Sequence, residues 1–440
     1  MSFFDRFLKK QSLLNIPNIP FGRYSDSYKS DIQYDQWEAA ISAFDTENYI
    51  VSLTLFLEFL KNDVGNNVRT WSEEGILKFE IIQGSKKIIG RADGEHIEVE
   101  AKVAKTQGLK LAFMRQLMER NYSLRYSRFA LDTNNDISMR FDTDLIDASP
   151  YKLYNALKEV ATNADKLDDI LIDEYADVLL PIDNQHIEEG TPQEKDTKYE
   201  YIHQWIETVL RRSEEIDRKE LDAGVAYLLL DLTYKLDYLM KPEGFMMESL
   251  ERIHRQYFAS DNKSIEEKCD QLIEEFKNIH NRPKEELTKE IYHTIATFGI
   301  TSPVNHERVA SFIDGELPNM EWYLNNNYPN IALAIPGYIA GYCMFEFAVP
   351  QPDKDLFHLY FEIVESDFFT KLGFENSYYN SNTTKFNKVA IKQRIQRIAK
   401  VNLRKHPLLR PDVNLLSFKS LQSFSFSYMK MVRGLDLSEG

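Results

Sequence analysis

The sequence predicts an α+β domain built on an antiparallel sheet flanked by helices, followed by an all-α domain. Three observations carry this reading. Apolar and polar residues alternate between Leu77 and Phe141, apolar residues recur every three or four positions from Tyr201 onward, and only 17 Gly and 15 Pro occur among 440 residues. Alternation marks half-buried strands, because successive side chains point to opposite faces of a sheet, whereas the longer step marks one face of a helix. Scarce Gly and Pro favour helix-rich packing.

Residues 1–30 read as an N-terminal segment. Phe3, Phe4, Phe7 and Leu8 stand at helical spacing there, but no uninterrupted apolar run or small-residue cleavage site makes a secretory signal. Trp37, Ile41, Phe44, Tyr49, Ile50, Leu53, Phe56, Leu57 and Leu60 predict an amphipathic helix over 35–62 with a break near Thr46. The period then changes to two. Leu77, Phe79 and Ile81 form one strand, and Ile97, Val99, Ala101 and Val103 another, with breaks at Gly84-Ser85 and Asp93-Gly94. Asp-Gly suits a type I′ hairpin, whose two central residues take positive φ. A helix over 109–120 follows, then strands over 123–131 and through Ile137, Met139 and Phe141 around an Asn134-Asn135 turn. Pro150 opens a long helix with Leu153, Leu157, Val160, Ala161, Ala164, Leu167, Ile170 and Leu171 on one face.

That order of elements resembles the type III secretion chaperone-like fold, in particular the YbjN-like family. The similarity is carried by Leu117-Met118-Glu119-Arg120-Asn121-Tyr122, by Arg128-Phe129-Ala130-Leu131-Asp132 and by Asp136-Ile137-Ser138-Met139, and covers about residues 30–180. The resemblance implies a domain over 31–180 that presents its sheet and a helix to extended or partly unfolded protein segments, often as a dimer. It implies no catalytic residues, because members of the fold share none.

Residues 181–197 are polar, contain Gly190 and Pro192, and read as a linker; residues 198–440 read as the helical domain. Its apolar stripes run through Tyr201–Leu210, Leu221–Leu239 and Met247–Phe258. Further helices are expected over 265–279, 284–298, 331–347, 355–369 and 384–401. The stretch 331–349 has one charge, Glu346, but Pro336, Gly337 and Gly341 inside it point to a buried helix approached closely by a neighbour, not to a transmembrane span.

The formal charge of −16 disfavours nucleic acid and anionic lipid as partners. One segment departs from that balance. Between Glu375 and Asp412 no acidic residue occurs, while Lys385, Lys388, Lys392, Arg394, Arg397, Lys400, Arg404, Lys405 and Arg410 do. Val389, Ile391, Ile395 and Ile398 give this segment an apolar side by which to pack, its charges balancing acids such as Asp165, Asp168, Asp169, Asp173, Glu174 and Asp177. If the segment instead met a membrane surface, Phe3 and Phe4 would be its apolar companions.

Several constellations bear on chemistry. Glu200 with His203, Glu251 with His254 and Glu290 with His293 form Glu-x-x-His pairs, which place a carboxylate and an imidazole one turn apart and build metal sites in helical bundles. On a helix over 284–298, His293 would face away from the apolar side, so Glu251 and His254 remain the metal candidates. His358, Glu362 and Glu365 share another helical face. Asp132, Asn134 and Asp136 start like a calcium loop, but Ile137 and Thr143 stand where Gly and a bidentate Glu are required. Cys269 and Cys343 carry no nucleophile signature and cannot make a disulfide framework, and no phosphate-cradling loop or zinc-hydrolase motif occurs. The function expected is therefore a non-catalytic, cytoplasmic protein-binding or chaperone-like adaptor with a protein or peptide partner and no cofactor, a homodimer being compatible with it. The alternative is a metal-dependent enzyme or small-ligand sensor in the helical domain, around Glu251 and His254.

Overall fold

A computed structural model describes residues 17–62, 66–108, 110–182, 187–375 and 378–438, which divide into two compact units. The sheet unit comprises residues 24–189 and 292–300; the helical unit comprises residues 17–23, 190–291 and 301–438. Phe3, Phe4, Phe7 and Leu8 lie outside the described residues, as do the side chains of Asp168, Asp169 and Asp173.

In the sheet unit, helices α1 (Asp31–Asp45) and α2 (Tyr49–Leu60) replace the long helix, parted at Thr46 as expected. A capping box between Ser30 and Gln33 starts α1. Strands β1 (Val68–Glu73), β2 (Ile76–Gln83), β3 (Lys86–Ala92) and β4 (His96–Thr106) follow. Helix α3 (Leu111–Ser123) precedes β5 (Arg128–Leu131) and β6 (Ile137–Asp144), and α4 (Pro150–Glu174) precedes β7 (Leu179–Pro181). The sheet is antiparallel in the order β1-β2-β3-β4-β6-β5, with β7 added to the far end of β4. Ser149 caps α4 by accepting from the Lys152 N–H, and Pro150 sits at its first position. The apolar face of α4 covers one side of the sheet, burying Phe79, Ile81, Ile88, Ile97, Val99 and Met139 with Leu157, Val160 and Ala164.

Local chemistry alters two of the expected features. Asp93-Gly94 is a three-residue turn, not a type I′ pair: the Asp93 carboxylate accepts from the N–H groups of Glu95 and His96, and only Gly94 takes positive φ. The type I′ pair is Glu74-Gly75, between β1 and β2. The strand expected from Ser123 starts at Arg128, because Glu159 of α4 draws the N–H groups of Arg125, Tyr126 and Ser127 away from the sheet at 3.0, 2.9 and 2.8 Å.

The helical unit contains α5 (Pro192–Glu214), α6 (Arg218–Met240), α7 (Gly244–Phe258), α8 (Ile265–His280), α9 (Lys284–Lys289), α10 (His306–Asn325), α11 (Pro329–Glu346), α12 (Gln351–Val364), α13 (Ser366–Lys371), α14 (Lys388–Asn402) and α15 (Leu421–Arg433). Helix α5 begins inside the stretch read as a linker, because Thr191 caps it and Pro192 follows. The pair α6 and α11 forms its centre, and α11 is the buried helix expected at 331–347. At Gly341 an added Cβ would sit 2.5 Å from Tyr234 Cβ, so the two backbones approach as only glycine permits. Among the described residues no helix is long and apolar enough to cross a membrane.

The helix expected over 284–298 ends at Lys289. Beyond it, β8 (Glu188–Glu189) pairs with β9 (Tyr292–His293), and residues 292–300 build into the sheet unit. Gly84 N–H donates to the Ile295 carbonyl at 2.8 Å. The Gln83 side chain accepts from the N–H groups of Thr297 and Phe298 and donates to the Phe298 carbonyl; Thr297 Oγ1 donates to the Ile82 carbonyl at 2.7 Å and accepts from Asn67 at 2.9 Å. Phe298 is 1% exposed, edge-on to Tyr154 in the sheet-unit core. We predict that Phe298→Ala lowers the unfolding free energy by about 3–5 kcal/mol, the usual cost of emptying a buried phenylalanine site. Urea denaturation of the full chain checks it.

Candidate protein-docking surfaces

The face of the sheet opposite α4 carries charged side chains in register. Across one row stand Arg69, Glu80, Ile89, Glu100 and Arg140; across the next stand Trp71, Lys78, Arg91, Glu98 and Asp142. A shallow groove of about 400 Å³ runs over these rows, with Trp71 37% and Ile89 51% exposed beside it. Its charges are largely matched. Arg91 reaches Glu98 at 2.9 Å, Lys102 reaches Glu100 at 3.3 Å and Lys87 reaches Glu80 at 3.5 Å. Exposed pairs of this kind contribute about 0–1 kcal/mol each, so a partner could re-pair them at little cost.

A second surface lies on α3. Leu111, Met118 and Tyr122 are 86%, 70% and 95% exposed, and steps of seven and four residues bring them onto one side of the helix. The other side, through Phe113 and Leu117, is buried in the core. Asn121 fixes the helix to β5, accepting from the Phe129 N–H at 2.7 Å and donating to its carbonyl. The three apolar side chains thus share one exposed face with Arg115, on a helix anchored to the core by its opposite side.

The turn at Asp132, Asn134 and Asp136 spends its carboxylates on the protein itself. Asp132 accepts from the N–H groups of Asn134 and Asp136 and pairs with Lys102, whose ammonium holds it below the ordinary carboxylate range. Asp136 accepts from the Thr106 N–H.

The Glu-x-x-His pairs are not drawn together as ligands. Glu251 takes Arg23 at 3.1 Å and Arg255 at 3.5 Å, while His254 binds the Tyr234 hydroxyl at 2.8 Å and faces Glu346 at 3.5 Å. Burial, helped by Arg23, pushes His254 down to about 4. Glu200 pairs with Lys371, and His203 lies between the rings of Tyr199 and His280. Glu290 pairs with Arg282, and His293 sits in β9, not on a helix. Among the described residues no group of three or more His, Cys, Asp or Glu side chains is placed to hold a metal ion.

His358 and Glu362 do meet, at 3.9 Å, whereas Glu365 turns to Lys235 at 3.0 Å. The basic helix α14 packs Ile391, Ile395 and Ile398 into the helical core, leaving Val389 67% exposed. Its Arg394 acts electrostatically on Asp355, His358 and Glu362 of α12.

Trp71, Ile89 and Leu111 went unnamed in the sequence, and Met118 and Tyr122 stand there only within the stretch that carries the resemblance, because β1 and β3 show little alternation and an exposed apolar residue looks the same in a sequence as a buried one. Spacing Leu111, Met118 and Tyr122 against Phe113 and Leu117 would have revealed two apolar sides on one short helix. Comparison with known proteins finds no family model that matches the chain and no similar curated protein.

Burial pushes Glu362 up to about 7 and His358 down to about 4. The folded state therefore retains a proton on Glu362 that the unfolded chain gives up near pH 4.3, and this contribution to stability is lost as pH rises toward 7. For His358 the sign reverses: its contribution is present above pH 6.5 and is lost as pH falls toward 4. We predict that Glu362→Gln raises stability relative to wild type at pH 8 by about 1–3 kcal/mol and much less at pH 5. Urea midpoints at the two pH values check this.

Proposed function

We propose that the sheet unit is a non-catalytic protein-binding module, chaperone-like in that it receives extended or partly unfolded segments. The observation that carries the reading is the exposed stripe Leu111, Met118 and Tyr122, since apolar side chains aligned in water on a rigid element mark a surface kept for a partner. The sheet groove supports it with Trp71 and Ile89 as further apolar anchors in a field of paired charges, the combination in which anchors supply affinity and charges set register. The resemblance of residues 30–180 to secretion chaperone-like folds agrees with both surfaces. Partner chemistry follows from them: a segment with apolar side chains at helical or alternate spacing, mixed in charge.

Affinity capture from native lysate with the full chain, read by mass spectrometry, tests the proposal when wild type is compared with Met118→Lys/Tyr122→Ala and with Ile89→Lys. All three positions are exposed, and Lys at 89 would stand between Glu80 and Glu100, so stability should change by no more than about 0.5 kcal/mol. We expect partners held by wild type to be lost from the α3 variant and weakened at least tenfold in Ile89→Lys. A partner set indifferent to both variants would sink the reading.

A further inference from the structure

The helical unit encloses a short stretch of chain that belongs to none of its helices. Residues 17–23 form no regular secondary structure, yet the last three are held in three different ways, two by side chains and one by backbone. The Phe21 ring lies 5.2 Å from His358, 5.3 Å from Phe369 and 6.0 Å from Phe374. Gly22 N–H donates to the Tyr238 carbonyl at 2.8 Å; its φ is +68°, and an added Cβ would lie 2.5 Å from the Tyr238 ring. Arg23 grips Asp237 with Nη2 at 2.7 Å and Nε at 3.0 Å, reaches Glu251 with Nη1 at 3.1 Å, and stacks 4.0 Å from the centre of the Phe345 ring.

An aromatic anchor in a pocket, a position restricted to glycine and a guanidinium on a carboxylate pair are the means by which grooves between helices read a peptide. The receptor side belongs wholly to helices and the segments that join them: Asp237 and Tyr238 on α6, Glu251 on α7, Phe345 on α11, His358 on α12 and Phe369 on α13. Asp237 is 5% exposed, so without Arg23 this groove would hold a buried carboxylate facing no guanidinium, and lysine could not reproduce the forked contact. Any segment taking the place of residues 21–23 must bring the same three features in the same order.

We propose that this groove is a peptide site: it takes an extended partner segment bearing an aromatic–glycine–arginine triplet, and residues 21–23 occupy it as an internal copy of that ligand. The site lies in the helical unit and is independent of the docking surfaces of the sheet unit. It would make the chain a binder of two kinds of segment, the second admitted only when the internal copy leaves.

The test uses the full-length Phe21→Ala/Arg23→Ala variant and a fluorescent peptide of residues 17–24, followed by anisotropy. We expect the peptide to bind this variant at least tenfold more tightly than wild type, and peptides carrying Gly22→Ala or Arg23→Lys to lose at least tenfold. Equal binding to both proteins, or indifference to the two peptide changes, overturns the proposal. Should the variant not fold, wild-type chain with a protease site inserted after Tyr28 can be nicked and the labelled peptide offered in exchange. Exchange under native conditions supports the site; retention of the nicked segment until global unfolding shows it to be ordinary core and overturns it. A concentration-dependent wild-type dimer that the double variant abolishes would assign the groove to the segment of a second copy, and overturns the partner assignment.

Discussion

The sheet unit is completed from far along the chain, and most of what is distinctive about this protein depends on that. Among the described residues, every other member of the sheet-unit core precedes residue 180, yet Phe298 fills it and Thr297 satisfies Ile82, Gln83 and Asn67 around it. A buried carbonyl and two buried amides without those partners would each cost on the order of 1–3 kcal/mol. Residues 17–23 make the converse arrangement, contributed to the helical unit from ahead of the sheet-unit sequence. Each unit therefore contains a short segment separated in sequence from the rest of it, and neither corresponds to one continuous stretch of chain.

This explains what could and could not be read beforehand. Elements whose burial follows from local periodicity were legible: the alternation of Ile97, Val99 and Ala101, the stripe of α4 and the buried character of α11 all appear where the spacing puts them. The exchanged segments were not. Ile291, Ile295 and Phe298 fall at helical spacing, and nothing in their order reveals that Ile295 bridges a strand turn while Phe298 fills a core made over a hundred residues earlier. Helix α10 was hidden by Gly315 and Pro318, which signal a break but are absorbed within a helix packed on α11 and α15.

The candidate sites divide along the same line. Glu251 and His254 were legible as a pair because they are three positions apart, but their partners Arg23, Tyr234 and Glu346 come from three distant places. Buried charge in the helical unit is generally of this kind. Lys198 with Glu194, and Lys235 with Glu365 and Asp231, are satisfied across or along helices, which fixes geometry more than it adds net stability. The proposed docking surfaces are the reverse case. Leu111, Met118, Tyr122, Trp71 and Ile89 matter because of what they fail to contact, and only three-dimensional exposure distinguishes them.

The late contribution of Phe298 also sets an order of events during synthesis. Residue 189 leaves the ribosome about 110 residues ahead of Phe298, a wait on the order of ten seconds at ordinary elongation rates. Throughout that interval the residues that complete Gln83, Asn67 and the Tyr154 ring have not yet been made. A protein proposed to hold segments of other chains thus waits, while being made, for a segment of its own.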